Sequence, residues 1–133
     1  MTKIAATLED EPKEIDRSKI ALMLIRLFEL WKLTNEEQLD ALGLSTDNRA
    51  ALGRYRRGEP IAASRDMADR AGNLLAIHKS LRLLFPNNPE LAYSWIKAKN
   101  RAFNGNSPIE TIREMGFSGL LYVRSYLDRA RGD

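Results

Sequence analysis

Helix start and stop signals punctuate this chain so densely that only short helices fit between most of them. Thr34 with Glu37 three residues on is a capping box, in which a hydroxyl and a carboxylate satisfy free N–H groups at a helix start. The same pattern returns in Ser107-Pro108-Ile109-Glu110, where proline also suits the first helical position. Asn88-Pro89 is another start, and Ser45, Ser64 and Ser118 are candidate N-caps. Stops follow at Gly43, at Gly58-Glu59-Pro60, at Pro86 and at Gly116. Between these marks apolar residues recur at helical spacing. Ile20, Leu24, Leu27, Phe28 and Trp31 form one stripe, and Leu39 and Leu42 a second, with Leu44 expected to be buried after the turn. Met67, Ala71, Leu74, Leu75, His78, Leu81 and Leu84 run along a long fourth helix; Leu91, Trp95 and Ile96 follow, then Leu121, Val123 and Leu127 in a final helix from Ser118. No segment alternates with period two. The chain reads as all-α, with about seven helices and no internal repeat.

Composition narrows the chemistry. A chain of 133 residues, 44% hydrophobic and 29% charged, is globular: one domain, or two small helical ones sharing a core. With no cysteine there is no disulfide, thiolate zinc site or Cys nucleophile, and a single histidine removes most histidine metal sites and Ser-His triads. His78 lies on the apolar side of its helix and reads as a buried structural residue. Phosphate-binding glycine motifs are absent. The expectation is a non-enzyme with no cofactor and no metal. Arg26 and Glu29 interrupt the longest apolar run, so no membrane span is expected, and the acidic N-terminus is not a secretory signal. A cytoplasmic protein is expected, with residues 1–16 as a mobile arm.

Charge is unevenly placed. Glu9, Asp10, Glu11, Glu14 and Asp16 make the start acidic, whereas Arg49, Arg54, Arg56 and Arg57 concentrate positive charge on the third helix. Such a cluster on a chain of net charge +3 points to directed phosphate contact. Gln38-Leu39-Asp40-Ala41-Leu42-Gly43-Leu44-Ser45 supplies a short helix, a glycine turn and a buried anchor, the parts of a helix-turn-helix. Its second helix would offer Ser45, Thr46, Asn48 and Arg49 to bases at its start and Arg54, Arg56 and Arg57 to DNA towards its end. Asn suits adenine and Arg guanine in double-stranded DNA. Asp47 suits a capping role, and Leu39 stands where helix-turn-helix proteins usually place a small residue. The competing reading is a solvated cationic face at a helix C-terminus.

Beyond this unit lie Leu74-Leu75-Ala76-Ile77-His78, Leu83-Leu84-Phe85, Trp95, Asn104-Gly105-Asn106-Ser107-Pro108-Ile109-Glu110, Gly116, Val123 and Leu127. On these residues the chain from about Arg17 to Leu127 resembles the Xre/MbcA/ParS-like antitoxins. The resemblance implies a helix-turn-helix bundle followed by a small helical toxin-binding domain. It also implies a RES-domain toxin partner that depletes NAD, a homodimer, and binding to operator DNA that represses its own operon. The corresponding division is an arm at 1–16, a helix-turn-helix domain at 17–82 and a toxin-binding domain at 83–133. The alternative is a stand-alone helix-turn-helix transcription regulator whose C-terminal module only dimerises.

Most of the recognisable residues have structural duties. Trp95, Phe103 and Leu127 read as core, Gly105 and Gly116 as backbone positions other residues resist, and Ser107, Pro108 and Glu110 as a helix start. Toxin contact then falls to Tyr122, Arg124, Ser125, Tyr126, Arg129 and Arg131, expected to be exposed on the final helix.

Overall fold

Asp16 caps the first helix, its side chain accepting the Lys19 N–H at 3.0 Å. The computed structural model describes residues 16–132; the remainder of the expected N-terminal arm lies outside the described residues. Within them seven α-helices follow: α1 (Arg17–Leu30), α2 (Asn35–Leu42), α3 (Arg49–Arg56), α4 (Arg65–Leu84), α5 (Pro89–Ser94), α6 (Pro108–Met115) and α7 (Phe117–Ala130). Short 3₁₀ turns occupy Thr46–Asn48, Trp95–Lys97 and Arg101–Phe103, and the described residues contain no strand.

Local chemistry sets most of these boundaries. The Thr34–Glu37 and Ser107–Glu110 capping boxes are both formed, and Ser64 and Asn88 each accept an N–H of the first turn. Gly43 ends α2 at φ +70°, the left-handed conformation that glycine adopts without steric cost. Gly116 separates α6 from α7 at φ +61° and ψ −136°, a region essentially closed to other residues. Ser118 does not cap α7; that helix starts one residue earlier, directly after Gly116, without a side-chain cap.

The long helix α4 is the spine. Met67, Ala71, Leu74, Ile77 and Leu81 bury its inner face. It packs against α1 and α2 on one side and α7 on the other, the α4–α7 and α6–α7 contacts being the most extensive. One contiguous core results, from Leu24, Phe28 and Trp31 through Leu74 and Ile77 to Ile112, Leu120 and Leu127. The expected boundary between residues 82 and 83 falls inside the last turn of α4. Leu44 is half-buried rather than fully enclosed, and His78 is half-buried, stacked on Tyr93 at 6.0 Å. Burial and the nearby Arg82 both hold the His78 pKa below its ordinary value.

Candidate functional site

The first candidate surface is built by α2, the Gly43 turn and α3. Leu39 and Leu42 on α2 and Ala51, Leu52 and Tyr55 on α3 are buried, which fixes the pair against the core and turns the rest of α3 outward. The second helix is shorter than expected. Ser45 makes no cap hydrogen bond, Thr46–Asn48 form a 3₁₀ turn, and α3 begins only at Arg49. Ser45, Thr46, Asn48 and Arg49 are all exposed around that entry.

The arginines divide by role. The side chains of Arg49 and Arg54 are exposed and make no hydrogen bond or ion pair among the described residues. Arg57 is exposed and pairs with Glu59 at 3.3 Å. Arg56 points back to α2, donating to Asn35 Oδ1 at 2.8 Å and to Gln38 Oε1 at 3.3 Å, so its guanidinium ties the two helices together. The outward face therefore carries Arg49, Arg54 and Arg57 with the small residues Ala50 and Gly53 among them.

The second surface is the outer face of α7. Gly119, Leu120, Val123 and Leu127 point inward. Gly119 lies so close to α6 that a Cβ there would run into the Thr111 carbonyl, which locks α7 onto α6. Ser118, Leu121, Tyr122, Ser125 and Arg129 then face solvent together, at three- and four-residue spacing. Leu121 is 44% exposed and Tyr122 42%, two adjacent large side chains that give this face an apolar centre. The Tyr122 hydroxyl donates to the Ala102 carbonyl at 2.9 Å, and its ring meets Phe103 edge-on at 5.3 Å, so it is exposed but held still.

The other expected contact residues are placed differently. Tyr126 is half-buried, stacked on Trp95 at 6.1 Å and edge-on to Phe103 at 5.3 Å, so it shares Phe103 with Tyr122 as a packing neighbour. Trp95 itself is half-buried in this aromatic group, whereas Phe103 and Leu127 are fully enclosed. Arg124 is half-buried and donates to Asn73 Oδ1 on α4 at 3.1 Å while lying 3.7 Å from Asp128. Arg131 is exposed at its end and reaches Ser80 Oγ on α4 at 3.2 Å. Arg129 is exposed and bonds to Ser125 at 3.4 Å.

This second surface lies within a recognised domain. Residues 80–132, from the end of α4 past the end of α7, match the family model of the antitoxin Xre/MbcA/ParS C-terminal toxin-binding domain. A relative in Sinorhizobium fredii (strain NBRC 101917 / NGR234), "Uncharacterized protein y4oB", is 32% identical over 108 residues, covering 80% of each chain. The chain belongs to the Xre/MbcA/ParS antitoxin family. Its C-terminal part is a toxin-binding domain, so its partner is a toxin.

Seen in that domain, Leu121 is the residue that sequence reasoning misplaced. The signal was present: Leu120, Val123 and Leu127 keep helical spacing with one another, and Leu121 falls outside their stripe. Among the described residues no group of His, Asp and Glu is arranged to hold a metal ion, and no helix is long and apolar enough to cross a membrane.

Proposed function

We propose that this chain neutralises a RES-domain, NAD-depleting toxin by binding it through the outer face of α7, and represses its own operon by binding double-stranded operator DNA through α3. The observation that carries the toxin reading is the uncovered Leu121–Tyr122 pair inside the toxin-binding domain, with Ser125 and Arg129 beside it. Enclosing a large apolar side chain is worth about 1.5–3 kcal/mol, and a rigid tyrosine loses little entropy on docking. Arg124 and Arg131 frame the face from the α4 side, and Tyr126 and Tyr122 both pack on Phe103. The DNA reading rests on Arg49, Arg54 and Arg57 being exposed behind the Gly43 turn, with Ser45, Thr46 and Asn48 at the helix entry. Arg56 belongs to the same surface as a brace between its helices. A homodimer, presenting two such readers, is part of this proposal.

Co-expression with the protein encoded beside it, a RES-domain protein under this reading, tests it. The unaltered chain should co-purify with that protein and restore growth. Leu121→Glu with Tyr122→Ala should weaken the complex at least about tenfold, the effect of removing one to two interface anchors, with helical content unchanged. Failure of the unaltered chain to bind or rescue would remove the toxin reading. The exposed Leu121 and Tyr122 equally suit pairing of two copies, which favours a second reading as a DNA-binding regulator with a C-terminal dimerisation module. Under that reading the same double variant is a monomer by light scattering and no toxin complex forms.

A further inference from the structure

The helix α2 is gripped at its start, middle and end by cations from outside the proposed DNA reader. At the start, Lys97 Nζ lies 3.2 Å from Glu37 Oε1 and donates to the Lys32 carbonyl at 2.9 Å. Lys32 has φ +55°, a left-handed conformation that a side chain resists, so the ammonium pins a strained turn. The same Glu37 oxygen accepts the Thr34 N–H at 2.8 Å, so Lys97 also backs the capping box. In the middle, Arg113 Nε meets Asp40 Oδ2 at 2.6 Å, and Nη2 lies 4.0 Å from Glu36. At the end, the Arg70 guanidinium covers Gly43 closely enough that a Cβ there would collide with it. Arg70 also pairs with Asp66 at 3.0 Å and stacks over Phe117, the first residue of α7, at 5.3 Å.

Lys97 and Arg113 belong to the toxin-binding domain. We infer that they are positioning residues for DNA reading, fixing the pose of α2 and, through it, of α3. This rests on the DNA-binding reading above. An α2 of 8 residues is too short to hold itself in place, since isolated helices of that length are unstable in water. Arg56 couples α3 to α2 through Asn35 and Gln38, so α3 follows where α2 is set. The clasp has a second effect. Glu36, Glu37 and Asp40 place negative charge beside a helix that is to meet phosphate, and Arg113 and Lys97 neutralise it.

The test uses the full chain, a labelled duplex from upstream of its own gene, and a scrambled duplex of equal length and composition. Simple charge arithmetic says that Asp40→Asn strengthens and Arg113→Gln weakens binding to both duplexes. The clasp gives a different pattern. Both variants should lower the operator-to-scrambled affinity ratio by roughly three- to tenfold, and the double variant by no more than Arg113→Gln alone, because both break the Asp40–Arg113 pair. Arg113→Lys, which keeps the charge beside Asp40, should retain most of the ratio. An unfolded fraction scales both affinities alike, so it leaves the ratio unmoved. If the unaltered chain discriminates and both variants discriminate equally well, the positioning role is overturned while DNA reading stands. If the unaltered chain does not discriminate, the DNA reading itself falls, and this inference with it.

Discussion

Glu110 satisfies two neighbours at once at the start of α6. Its Oε1 accepts the Ser107 N–H at 2.7 Å, completing the capping box, and its carboxylate takes Lys99 Nζ at 3.0 and 3.3 Å. The backbone N–H of Ser107 and then Lys99 hold its pKa below the ordinary glutamate value. A carboxylate depressed on folding adds stability that is complete above its unfolded pKa, about 4.3, and is lost as pH falls through the lower folded value. Glu110→Gln keeps the cap geometry and removes the charge. Its melting temperature should lie below that of the unaltered chain at pH 7, and the two should converge below pH 4. A gap that stays constant into acid would exclude the charge as its source. Residue-scale features of this kind were readable in advance because caps depend on neighbours three positions away: Thr34, Ser64, Asn88 and Ser107 all form the bonds expected of them. Arg56 was not readable, because its partners lie 18 and 21 residues back in sequence and meet it only after folding.

At the scale of elements, α3 shows how packing divides a run of like residues. Burial of Ala51, Leu52 and Tyr55 sends Arg49, Arg54 and Arg57 outward and Arg56 sideways onto α2. Gel-shift titrations should separate these duties. Arg54→Ala and Arg57→Ala should weaken operator and random DNA alike and each lower the salt-dependence slope by about one, as phosphate contacts do. Asn48→Ala with Arg49→Ala should weaken operator binding more than random binding, by about 1–3 kcal/mol for each base that is no longer read. Operator affinity unchanged across all four substitutions would retire α3 as the reading helix. The helix start was harder to read than its stop. Gly43 ends α2 through its own conformational freedom, but Ser45 lies before a 3₁₀ turn whose geometry no single residue announces. On α7, likewise, a stripe one residue out of step hid Leu121 among core leucines, though Gly119 and Leu120 show the inward face once α6 is in place.

For the whole molecule, the question is whether the DNA-reading and toxin-binding parts fold separately, as their sequence division would allow, or together. The packing favours one cooperative unit: α4 contributes Leu74 and Ile77 to a core that touches both halves, and Arg113, Lys97 and Arg70 stitch α2 to the rest. That continuity is a product of three-dimensional neighbours, α2 with α6 and α4 with α7, that no local signal encodes. The chain provides its own reporters, Trp31 buried at the end of α1 and Trp95 half-buried in the toxin-binding domain. With Trp95→Phe, fluorescence follows the first half; with Trp31→Phe, it follows the second. In each variant the urea transition seen by fluorescence should coincide with that seen by far-UV circular dichroism. Leu74→Ala, which empties a site at the centre of α4, should then destabilise the chain by about 2–5 kcal/mol as read by either tryptophan. If the Leu74 substitution moves one tryptophan's transition and leaves the other in place, the two halves fold independently. The cations on α2 would then join domains rather than complete one.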